Sequence, residues 1–177
     1  MARVLILSLT FLLLWTLVAQ ANHYLAPLQV YLFVGGLFVT YAALRFPLGA
    51  GFAAVMAAGC LFDAASPVQH PSLGSVWSST HLVLFCAAFA VIYSLRDRLA
   101  HSETLIRVAV ALLANLALFL ALSFTRIGAA PVPGAAWLRL FSDLLASQVV
   151  IVLIAPWFFA LQRRALVLAR LESAEYN

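Results

Sequence analysis

The chain has 177 residues, 66% of them hydrophobic and only 9% charged, with a formal net charge of +4. So little polar surface cannot cover a water-soluble globule, and the length leaves room for one compact bundle without a second, soluble domain. Composition therefore specifies an all-α integral membrane protein, a single transmembrane domain over residues 1–177.

Six apolar stretches follow one another, over residues 4–21, 25–44, 48–62, 77–95, 105–124 and 140–161. Most reach the roughly 20 residues that cross a hydrocarbon core of about 30 Å. They predict a six-helix bundle. The first stretch, between Arg3 and Ala19-Gln20-Ala21, also resembles a cleavable signal peptide, but it is long for a signal core and is read as a helix. The second is predicted as one helix over 25–44, with Gly35-Gly36 as a close-packing point. Pro27 and Pro47 mark its boundaries.

The third stretch is short and rich in small residues. Ala50, Ala54 and Ala58 recur every four residues, a face that lets helix backbones approach closely, either inside the bundle or against a partner's helix. Gly59 and Cys60 follow, and the stretch ends at Asp63, the only acidic residue before Asp97. Pro67, Pro71 and Gly74 then break the chain. Cys60 and Cys86 both fall in apolar segments and read as small buried hydrophobes. Arg96, Asp97, Arg98, His101 and Glu103 form a solvated turn before the fifth stretch, which carries Asn115 at its middle. After Gly128, Pro131, Pro133 and Gly134, the sixth stretch holds Asp143, Gln148 and Pro156. Asn115 and Gln148 are predicted to hydrogen-bond between helices. Pro156 removes one helical bond and predicts a kink near Val152.

Eight arginines (Arg3, Arg45, Arg96, Arg98, Arg107, Arg163, Arg164 and Arg170) fall on one side of this pattern, and Arg126 and Arg139 on the other. The positive-inside rule then puts both termini in the cytoplasm, with long outer loops over 63–76 and 125–139. The basic balance reflects this rule and contact with anionic lipid, and implies no nucleic acid.

Asp63 is the residue that most needs explaining, because a lone charge at membrane depth is costly unless paired, protonated or hydrated. It reads as a proton-relay carboxylate, as half of a catalytic pair, or as a helix-end residue that fixes the outer loop by accepting backbone amides; the last is favoured. Asp143 falls in the same leaflet, which invites an aspartic dyad, but its spacing of four from Arg139 is that of an ordinary helical ion pair. His23, His70 and His81 also belong to the outer side, in no compact metal-ligand spacing. No phosphate-cradling loop, nucleophile triad or HExxH helix occurs, so no cofactor and no catalysis are expected.

Two segments resemble the rod shape-determining protein MreD family. The first runs through 47–74: a small-residue helix, Gly59-Cys60-Leu61-Phe62-Asp63, then Pro71-Ser72-Leu73-Gly74, similar to the family's Gly-x-x-x-Asp followed by Pro-Leu-Gly. The second is Leu153-Ile154-Ala155-Pro156-Trp157-Phe158 with the closing Arg163-Arg164. The resemblance implies a non-catalytic member of the cell-elongation machinery in the bacterial inner membrane. It would work with the single-span MreC, the actin-like MreB, and the synthases RodA and penicillin-binding protein 2. It implies a fold similar to the substrate-binding subunits of energy-coupling-factor vitamin transporters, and such a subunit is the alternative function. The residues singled out for structure or partner binding are Gly59, Asp63, Pro71, Gly74, Asp143 and Pro156.

Overall fold

The computed structural model describes residues 2–65, 80–99, 104–127 and 133–169, and every regular element among them is a helix. Helix α1 covers Ala2–Leu25, α2 Gly35–Arg45, α3 Leu48–Ala65, α4 Thr80–Ser94, α5 Arg96–Leu99, α6 Thr104–Ile127 and α7 Pro133–Leu168. Three stretches are long and apolar enough to cross a membrane, Val4–Leu28, Leu105–Phe124 and Trp137–Leu168, and shorter apolar helices cover Leu48–Asp63 and Thr80–Ser94. These correspond to the first, third, fourth, fifth and sixth stretches of the sequence.

The second stretch corrects the expectation. No continuous helix forms over 25–44; α1 runs on to Leu25, a 3-10 turn covers Ala26–Leu28, and residues 30–34 have no helical structure before α2 begins at Gly35. Pro27 explains the stop, because it has no N–H to donate and its ring opposes the preceding turn. Gln29 then adopts a left-handed conformation, φ 57°, and donates its N–H to the Ala26 carbonyl at 3.0 Å. Val30, Tyr31, Phe33 and Val34 are β-branched or aromatic and suit an open backbone. What remains, α2, has 11 residues and is about 16 Å long, roughly half a hydrocarbon core.

Close approach fixes where α2 sits. A Cβ on Gly36 would overlap the Asn115 backbone, so α2 lies directly on α6, and a Cβ on Gly35 would stand 2.6 Å from the Phe85 ring of α4. The whole of α2 from Gly35 to Ala43 is buried. Around it Phe11, Phe33, Phe38, Phe62, Phe85 and Phe119 form one aromatic core, with Phe11 and Phe38 4.1 Å apart between ring centroids. The small-residue face of α3 is used inside the bundle: Ala54 and Ala58 are buried, and Ala50 packs against the same core.

Leu9, Leu13 and Leu17 on α1, and Leu153 and Trp157 on α7, point away from the core. In lipid such exposure costs nothing, since acyl chains are as apolar as leucine. The same reasoning corrects the reading of the cysteines: both are free thiols, with Cys60 exposed and Cys86 partly so. Pro156 lies inside α7, which continues as a helix on both sides of it. Pro156 and Val152, whose carbonyl loses its usual donor, both face away from the core.

Candidate functional site

The C-terminal end of α3 meets the N-terminal end of α4 at Gly59. A Cβ there would come within 2.6 Å of the Leu82 Cα, so only glycine lets the two backbones approach this far. One helical turn later, Asp63 exploits the approach. Its Oδ1 accepts the His81 N–H at 3.0 Å and its Oδ2 accepts the Leu82 N–H at 3.1 Å. These amides belong to the first turn of α4, which has no intrahelical acceptor for them. Asp63 therefore acts as a helix cap supplied from a neighbouring helix, and the positive end of the α4 dipole favours its negative charge.

His81 completes this cap. Its Nδ1 lies 2.7 Å from Asp63 Oδ1, and with an ionised carboxylate that nitrogen must carry the proton and donate. The residue is 7% exposed. Its ring stacks on Phe62 at 5.9 Å and meets the edge of Phe85 at 6.3 Å. The Asp63 cap is thus continuous with the aromatic core.

The second polar node is the open segment between α1 and α2. Backbone groups in an apolar environment must find partners, and four side chains supply them here. Asn22 at the end of α1 bonds both ways with Leu32, Nδ2 donating to its carbonyl at 3.0 Å and Oδ1 accepting its N–H at 2.7 Å. Asp143 accepts the Tyr31 N–H at 2.8 Å, and Ser147 Oγ accepts the Phe33 N–H at 3.0 Å. Fully buried Asn115 donates to the Phe33 carbonyl at 2.9 Å and accepts the Gly36 N–H at 3.1 Å, capping α2 from α6. Phe33 contacts Phe62 at 5.8 Å, so its ring links this node to the Asp63 cap.

Of the residues singled out from sequence, Gly59 and Asp63 come together, and Asp143 serves the other node. Asp143 lies within the electrostatic reach of Arg139, as its spacing suggests, and it also accepts the Tyr31 N–H, which the spacing does not show. Pro156 belongs to neither node, and Pro71 and Gly74 lie outside the described residues, as do His70 and His101. Among the described residues no hydrogen bond joins Asp63 to Asp143, and no three His, Cys, Asp or Glu side chains group as metal ligands do. Asn115 and Gln148 both bond between elements, Gln148 donating to the Leu112 carbonyl at 3.3 Å.

Sequence reading missed Asn22 and Ser147, and it named His81 only as an outer-side histidine without its role at Asp63. Ser147 had a signal, since it follows Asp143 by four residues on an apolar helix and so shares its face. His81 had none, because its role depends on a carboxylate 18 residues away on another helix.

Comparison with protein-family models, with curated proteins and with solved structures gives no match for this chain.

Proposed function

We propose that the chain is a non-catalytic scaffold of the bacterial cell-elongation machinery. In this reading it is a six-span, multi-pass inner-membrane protein with both termini cytoplasmic, and it maintains rod shape by regulating peptidoglycan synthesis. It binds a single-span MreC-like protein and helps to position or activate RodA and penicillin-binding protein 2, with MreB as an indirect partner. One observation carries the architectural half of this reading: Asp63, Asn115, Asp143 and Ser147 all bond to backbone groups. Side chains committed in this way hold helices in place, whereas a catalytic acid needs freedom to exchange protons with a substrate. The resemblance of 47–74 and of the last helix to the MreD family supplies the partners.

Copurification from native membranes tests it. Recovery of an MreC-like protein or a synthase, with cell widening on depletion, is the expected result. Recovery of neither, with normal cell width, overturns it.

The broken helix favours one alternative, a substrate-binding subunit of a vitamin transporter with the fold of the energy-coupling-factor type. Interrupted helices at membrane depth recur where transporters bind substrates. Purified protein that retains a vitamin, or that copurifies with an ATPase module, would reverse the ranking.

A further inference from the structure

Helices α3 and α4 form one side of the bundle, and that side is shorter than a bilayer. The apolar part of α3 runs over Leu48–Asp63 and that of α4 over Thr80–Ser94, about 24 and 22 Å of helix. A hydrocarbon core is about 30 Å thick, and Leu105–Phe124 on α6, with 20 residues, matches it. Trp137–Leu168 on α7, with 32 residues, is longer still, about 48 Å.

Both ends of the short side are fixed by polar contacts. At one end Asp63 holds the His81 and Leu82 amides, which sets the start of α4 level with the end of α3. At the other, α3 begins directly after Pro47, and Arg96, just past the end of α4, donates from Nη1 to the Phe46 carbonyl at 2.8 Å with its guanidinium 5.4 Å from the Tyr93 ring. Between these ends Phe52, Met56 and Leu61 of α3 and Val83 and Val91 of α4 are exposed.

An apolar surface shorter than the surrounding hydrocarbon is accommodated by thinning the bilayer, by snorkelling of flanking side chains or by association with another copy. Snorkelling needs polar side chains free to reach water, whereas Asp63 and Arg96 are bonded to backbone groups of the bundle. Tilting fits the long stretches of α6 and α7 into a thin layer but lowers α3 and α4 further. We propose that the α3–α4 side binds lipid of short acyl chains, drawing the hydrocarbon beside it down to about 23 Å. Large apolar side chains line that side, so it selects by chain length rather than by headgroup. The inference requires only that the bundle spans a bilayer, and it would stand if the scaffold reading fell.

The test uses the full chain in phosphatidylcholine vesicles. C86S leaves Cys60, exposed on α3, as the one thiol for a fluorophore. Brominated dioleoylphosphatidylcholine quenches a probe beside it, and unbrominated lipid that displaces it restores the emission. Short-chain dimyristoleoylphosphatidylcholine should displace the brominated lipid from Cys60 about threefold better than long-chain dierucoylphosphatidylcholine. C60S/C86S/L153C, with the probe on the exposed face of α7, should show no such preference. Equal displacement by the two lipids at Cys60 overturns the proposal. The same preference at both positions assigns the effect to the bundle as a whole and overturns it too. A Cys60 probe that the brominated lipid does not quench shows that a second copy or another protein covers this side, which also overturns it. If the Cys60 conjugate fails to fold, C60S/C86S/V83C moves the probe to α4, and the same outcomes decide.

Discussion

Replacing Asp63 by alanine removes three hydrogen bonds at once. The His81 and Leu82 amides lose their acceptor, and His81 Nδ1 loses its partner. A hydrogen bond to a charged group contributes about 1.5–3 kcal/mol, and loss of a helix cap alone typically costs about 0.5–2 kcal/mol. The Asp63 side chain is 18% exposed, so water recovers part of the loss. The expected destabilisation of Asp63→Ala is about 3 kcal/mol. Asp63→Asn keeps one acceptor oxygen for His81 but turns an amide group toward the Leu82 N–H, and should cost about half as much. Insertion should be preserved in both variants. The assay is reversible unfolding in mixed micelles at rising dodecyl sulfate fraction, followed by far-ultraviolet circular dichroism. A double-mutant cycle adds His81→Phe, which keeps a ring against Phe62 and deletes only the polar contact. Coupling between Asp63→Ala and His81→Phe should be about 1 kcal/mol. Asp63→Ala within about 0.5 kcal/mol of wild type would refute the capping role, and a coupling of zero would refute the contribution of the His81 ring to it.

The same unfolding assay checks the remaining predictions. Asn115→Leu orphans the Gly36 N–H and the Phe33 carbonyl in a fully buried place and should cost about 2–5 kcal/mol. Gly59→Ala forces α3 from α4 and should cost about 1–3 kcal/mol, with less than additive loss when combined with Asp63→Asn, because the separation already weakens the cap. Thr40→Val should raise stability by about 1 kcal/mol, since the Thr40 hydroxyl is fully buried and has no hydrogen-bond partner among the described residues. A drop in the unfolding midpoint for that variant would show that the hydroxyl is satisfied.

Much of the fold is legible in the chain because hydropathy and length respond to the same physics that forms the helices. The small-residue run before Asp63 marks a close helix crossing, and an isolated carboxylate at its end points to amides as partners. The reading failed at 25–44, where an apolar run looks the same whether its backbone bonds to itself or to other helices. Pro27 was visible as a breaker, but nothing local tells that Asn22, Asn115, Asp143 and Ser147 supply the missing bonds. The Asp143–Tyr31 and Ser147–Phe33 bonds span 112 and 114 positions of sequence.

By itself, the sequence determined the all-helical class, the presence of the long apolar helices and the sharp asymmetry of arginine, because each depends on transfer of side chains from water and on charge alone. Tertiary structure decided the break before α2, the pairing of Asp63 with His81, and the bonding of Asn115, Asp143 and Ser147 to the open segment. Those features depend on how helices distant in sequence register against one another, and that register is set at contacts such as Gly36 on Asn115 and Tyr41 on Phe158, which exist only once the bundle has packed.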